Sequence, residues 1–189
     1  MSFVDNLTRA WLLRQARRAV AADLAGAQPE PSEPPPTALP DSGAFVTIRR
    51  GERLRGCIGT FSPDGPLPET IRRVAVAAAH DPRFEQMPIR FAELDDLSFE
   101  ISVLSPLSRV ASPEEIEVGR HGVFVRQGQR TGCFLPDVAT ERGWDRETFL
   151  SECCGNKAMI DPMAWRRPET ELYVFTVEKF CDGVRRAGP

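Results

Sequence analysis

The chain is poor in the residues that most often hold metals and move protons. It has two histidines, His80 and His121, in 189 residues, and neither a C-x-x-C nor an H-x-x-x-H spacing. Zinc needs several Cys, His or carboxylate ligands at convergent positions, so no metal centre is expected. Adjacent Cys153 and Cys154 do not mend this, because neighbours on a helix point about 100° apart. No glycine-rich phosphate loop follows a strand, which leaves no signal for a nucleotide or iron–sulfur cofactor; none is expected. Long apolar runs are also missing, and Asp5 and Arg9 stand where a signal peptide would be continuously apolar. The reading is a cytoplasmic protein with no membrane span. Five cysteines, an odd number without disulfide spacing, agree with free thiols in a reducing compartment. Charge of one sign is scarce too: 24 basic against 27 acidic residues give a net charge of −3, with no basic stripe. Nucleic-acid binding is not expected.

What is present suffices for one domain, residues 1–189, with 41% hydrophobic residues to fill a core. Residues 4–25 place Leu7, Trp11, Leu12, Ala16, Ala19, Val20 and Leu24 at helical intervals, an amphipathic helix. Residues 26–40 hold six prolines, which suit an extended crossing linker. AFVTIRRGERLRGCIGTF, from Ala44, reads as a β-hairpin about Arg50, Gly51 and Glu52. Alternation puts Leu54, Gly56 and Ile58 on one face of its second strand, and Arg53, Arg55, Cys57 and Gly59 on the other. A helix beginning near PLPET and ending at Asp81-Pro82 is rich in alanine and can approach a sheet closely, with Gly56 as the point of approach. LSFEISVL is a strand with Phe99, Ile101 and Val103 on one face and Glu100 and Ser102 on the other. A second hairpin turns about Gln127 and Gly128. A helix capped by Asp145 and a closing strand ELYVFTVEKF complete the chain. No internal repeat is apparent. The fold class is α+β, a mostly antiparallel β-sheet flanked by helices.

The ordered blocks LRGCIGTF (54–61), DPRF (81–84), FEISVLSPL (99–107), GRHGVFV (119–125), GCFLPDVATERGW (132–144) and YVFTVEKF (173–180) resemble the AMMECR domain family over roughly the whole chain. Its prokaryotic form is protein A of the AmmeMemoRadiSam system. The resemblance implies a larger lobe built from the N- and C-terminal parts and a smaller lobe from the middle, drawn here at about 85–118. It implies that LRGCIG belongs to a functional surface, and it suggests a Memo-type protein and a radical S-adenosylmethionine (SAM) enzyme as partners. It supplies no reaction. Where prokaryotic members read close to KAGL, this chain has Lys157-Ala158-Met159-Ile160.

Cys57 is open to two readings. Arg55 on the same face favours a thiolate, and Gly56 and Gly59 would admit a substrate, which makes Cys57 a nucleophile or redox thiol. Alternatively Cys57 is a small buried residue and the glycines serve packing. A nucleophile needs a base: His121, before Gly122, is the better candidate, and Glu100 could orient it or transfer protons. Asp81 and Arg83 form either a local capped turn or, through Arg83 with Arg55, an anion-binding pair. Lys157 closes a site or caps a helix end. The leading function is an accessory or binding protein presenting the RLRGCIG strand and a neighbouring cleft. The alternative is an enzyme using Cys57 with Arg55 and His121 or Glu100.

Overall fold

The computed structural model describes residues 4–30, 37, 39, 41–61 and 65–183. Most of the proline-rich segment expected to be a linker, residues 31–36, 38 and 40, lies outside the described residues. The chain divides into two compact units, Met1–Leu104 with Glu178–Pro189, and Ser105–Val177.

In the first unit, helix α1 (Asn6–Leu24) starts where Asp5 accepts the Thr8 N–H at 2.9 Å, satisfying one of the donors a helix start leaves open. Its buried face is Trp11, Leu12, Ala16, Ala19 and Val20; Leu7, expected among them, is 73% exposed. Strands β1 (Ala44–Arg50) and β2 (Arg53–Thr60) form the expected hairpin, turning at Gly51 with φ of 56°. Helix α2 (Leu67–Ala79) follows, with Pro68 in its first turn, where a missing N–H costs nothing. Strand β3 (Leu97–Leu104) pairs antiparallel with β1, and β8 (Val177–Cys181) completes a sheet of order β2-β1-β3-β8. Val46, Ile48, Phe99 and Ile101 are fully buried in one core with Leu12, Ala16, Ile71 and Ala75 of the two helices.

The second unit contains β4 (Ser108–Arg109), β5 (Gly122–Gln127), β6 (Arg130–Phe134), α3 (Pro136–Arg142), α4 (Arg146–Glu152) and β7 (Glu171–Phe175). Its sheet order is β4-β7-β5-β6. Asp145 caps α4 by accepting the Thr148 N–H at 2.8 Å, and a π-turn, Cys153–Lys157, extends that helix. Val123, Val125, Phe149, Leu150, Cys153 and Cys154 fill a separate core.

The fold is therefore α+β with two antiparallel four-stranded sheets. Two boundaries differ from expectation. The middle unit spans Ser105–Val177 and not about 85–118, because residues 97–104 are β3, hydrogen-bonded along the whole of β1. The single closing strand is two: β7 ends at Phe175 and pairs with β5, whereas β8 begins at Val177 in the other sheet. Helix α3 is an addition to the expected elements, although its sequence carries a signature: Pro136 at its first position and Gly143, at φ of 65°, just past its end.

Candidate functional site

Cys57 lies in β2, an edge strand, and is half-buried. Thr47 stands opposite it in β1, and Glu100 stands opposite Thr47 in β3. The three form one cross-strand row on the sheet face away from Val46, Ile48 and Ile101. The Thr47 hydroxyl donates to the Cys57 sulfur at 3.3 Å. Glu100 is two strands from Cys57, about 10 Å at the usual strand spacing, so it shares the face without reaching the thiol directly. Thr47 is not among the residues expected from sequence, though the alternation that places Cys57 on this face also places Thr47 beside it.

The backbone of Cys57 is gripped from outside the sheet. Its N–H donates to Asp81 Oδ2 at 3.0 Å, and its carbonyl accepts from Arg83 Nη2 at 2.9 Å. Arg83 also donates to both Asp81 carboxylate oxygens, through Nε at 3.0 and 3.2 Å and through Nη2 at 2.5 Å. The Asp81 side chain is 1% exposed. The Arg83 hydrogen bonds, joined by the Cys57 and Arg83 backbone N–H groups, outweigh burial and hold its pKa down at about 2. An edge strand leaves a row of unpaired N–H and C=O groups, and here a side-chain pair takes the place of a neighbouring strand. DPRF and LRGCIG thus belong to one structure. The local-turn reading of Asp81 and Arg83 also holds, since Asp81 Oδ1 accepts the Arg83 N–H at 3.0 Å.

Arg55 is placed differently from the expected thiol-activating role. The pairing slips between Ile48 and Arg49: Gly56 opposes Ile48 and Leu54 opposes Arg49, which leaves Arg55 as the extra residue of a β-bulge. Its guanidinium, 7% exposed, donates to Glu93 at 2.9 Å and to the Met87 and Pro88 carbonyls at 3.2 and 3.3 Å. The hydrogen bonds from Arg55, joined by the Arg90 N–H at 3.0 Å, lower the Glu93 pKa to about 2. Arg55 staples the 87–93 segment to the strand, and its Nε is buried without a partner. It forms no anion pair with Arg83, whose own bonds go to Asp81 and the Cys57 carbonyl.

The two glycines are filled and do not open a path. A Cβ on Gly56 would overlap the carbonyl of Ala78 at the end of α2, so Gly56 is the point of helix approach. A Cβ on Gly59 would enter the ring of Phe45. The access role expected of both is corrected to close packing. A cleft of about 310 Å³ lies beside Asp81, lined by His80, Asp81, Pro82, Phe84, Glu85 and Pro88. His80, 59% exposed, bonds through Nε2 to Asp23 at 2.6 Å.

His121 and Lys157 belong to the second unit. His121 Nδ1 accepts the Glu117 N–H at 3.1 Å, a local turn bond that fixes the ring. Lys157 ends the π-turn, with Nζ 5.0 Å from the Phe134 ring centre. All five cysteines are unpaired, and burial pushes Cys133 and Cys154 up to about 11 and Cys153 higher still. Among the described residues no three His, Cys, Asp or Glu side chains gather to hold a metal, and no helix is long and apolar enough to cross a membrane.

Residues 13–180 match the family model described as AMMECR1. Protein TK0174 of Thermococcus kodakarensis is 43% identical over 90% of this chain and 88% of its own length. Protein MK0488 of Methanopyrus kandleri is 40% identical over 90% and 86%. The crystal structure of the uncharacterised protein PH0010 from Pyrococcus horikoshii superposes with a TM-score of 0.84 at 38% identity, covering 98% of this chain and 96% of that one. With a match across most of its length, and relatives this similar, the chain belongs to the AMMECR1 family.

Proposed function

We propose that the protein is an accessory binding module. It presents the RLRGCIG strand, with the Thr47, Cys57 and Glu100 row and the adjoining Asp81–Pro88 cleft, to a partner protein. One observation carries this reading: Arg55, the charge expected to activate the thiol, and Arg83, expected to join it around an anion, are already engaged in holding the strand. Arg55 is bonded to Glu93 and two carbonyls, and Asp81 and Arg83 grip the Cys57 backbone. A thiol nucleophile needs a base and an oriented charge, whereas a rigid, buried-charge support suits a surface that must keep its shape. The family resemblance names the candidates, a Memo-type protein and a radical SAM enzyme.

The Thr47 hydrogen bond to a half-exposed sulfur favours the second reading, an enzyme using Cys57 as nucleophile or redox thiol. Co-purification at low salt with recombinant Memo-type and radical SAM proteins tests the first reading, and absence of any complex removes it. Alkylation of Cys57 against pH tests the second. A thiol that stays inert until the protein unfolds eliminates the enzyme.

A further inference from the structure

We infer that the cleft beside Asp81 takes a cationic side chain, an arginine or lysine of the partner protein; this rests on the binding reading above. The lining separates into apolar walls and an acidic rim. Ala79, Pro82, Phe84 and Pro88 form the walls, and the two prolines, with φ fixed by their rings, keep those walls in place. At about 310 Å³ the space is at the small end of ligand pockets, enough for one long side chain and not for a folded element. Arginine and lysine have the shape for it: an apolar stem that packs along hydrophobic walls, and a charged head that stays at the mouth.

The electrostatics of the rim select the sign of that head. Two helices present their C-terminal ends here. His80, the C-cap of α2, bonds through Nε2 to Asp23 in the last turn of α1 at 2.6 Å. Each end is the negative pole of a helix dipole, and neither last turn holds a basic residue. Asp23 thus adds a full negative charge to a pole that is already negative. Glu85, exposed on the cleft wall, adds another and has no ion-pair partner among the described residues.

The neighbouring cations do not cancel this field. Arg83 is committed to the Asp81 carboxylate by three hydrogen bonds, and His80 is charged only when protonated. Phe84, half-buried in the same lining, adds an aromatic ring, and rings attract cations: the Arg83 guanidinium already stands 5.7 Å from its centre. An acidic side chain entering the cleft would be repelled by Glu85 and Asp23. A purely apolar one would desolvate the Glu85 carboxylate and give it nothing in return. A basic side chain satisfies the walls, the ring and the rim together.

The test needs the whole protein and a probe carrying one cation, a capped Gly-Ala-Arg-Ala-Gly peptide, titrated while the amide resonances of isotope-labelled protein are followed. Saturable shifts should map to His80, Asp81, Arg83, Phe84 and Glu85, with a Kd on the order of 1 mM, as suits a single side chain. The same peptide with citrulline, which keeps the shape and removes the charge, should bind at least about threefold more weakly. Glu85→Gln should weaken the arginine peptide at least about twofold; Glu85 is exposed, so the variant keeps the fold. Equal binding of the two peptides, shifts that map elsewhere, or full binding by Glu85→Gln would overturn the inference. Spermidine that displaces the peptide at a tenth of its concentration would assign the cleft to a free polyamine and overturn it as well. The titration contains no Memo-type or radical SAM protein, so the two failures are distinct. A failed co-purification removes the binding reading, whereas a partner complex that forms although the arginine peptide does not bind removes the cation site alone.

Discussion

Gly56 has no room for a methyl group, since backbone of α2 lies where its Cβ would be. Gly56→Ala should cost about 3 kcal/mol or leave the chain unfolded, measured by thermal melting. Met159 has the reverse problem. Its φ of 55° is the conformation L side chains avoid, and its side chain is 67% exposed, so little packing offsets the strain. Met159→Gly should raise stability by about 1 kcal/mol, read from the denaturant midpoint at unchanged slope. Here the KAGL pattern of the resembling family makes physical sense: the third position favours glycine.

At the scale of elements, the grip on β2 makes stability depend on acid. Asp81 and Glu93 both have carboxyls held down at about 2, against ordinary values of 3.8 and 4.5. A lowered folded-state pKa adds stability that is complete above the unfolded value and disappears as pH falls toward 2. For the buried Asp81 this is about 2 kcal/mol. Melting between pH 5 and pH 2 should lose that amount, and Asp81→Asn should be less stable at pH 7 yet show a shallower acid loss. Hydrogen exchange at the Cys57 amide should quicken in the same variant, because its acceptor is weakened. Elements were also the scale most legible in sequence. The period of 3.6 gave α1, and Gly51 gave the first hairpin. Alternation put Cys57 opposite the packing face, and the alanines of α2 with Gly56 showed where helix meets sheet. Arg55 leaves the place that alternation gives it because a bulge adds a residue without any sequence signal, and Glu93, its partner, lies 38 residues away. Asp81 and Arg83 stand out in sequence as a turn, but that they reach the Cys57 backbone follows only from the tertiary fold.

Across the whole molecule, a Gly-Cys pair occurs in both hairpins, Gly56-Cys57 and Gly132-Cys133, and the first combines it with a polar row and a gripped edge. On the binding reading proposed above, the thiol serves as a small polar group and not as a reagent. Serine has nearly the same shape and hydrogen bonds in the same way, so Cys57→Ser separates the two functions. Capture of recombinant Memo-type and radical SAM proteins by immobilised wild type and by Cys57→Ser, at one protein concentration and low salt, is the most direct measurement. The expected result is a complex with both forms, of affinities within about threefold, a difference of less than 1 kcal/mol. A complex that requires the thiol, or no complex with either form, would contradict the account.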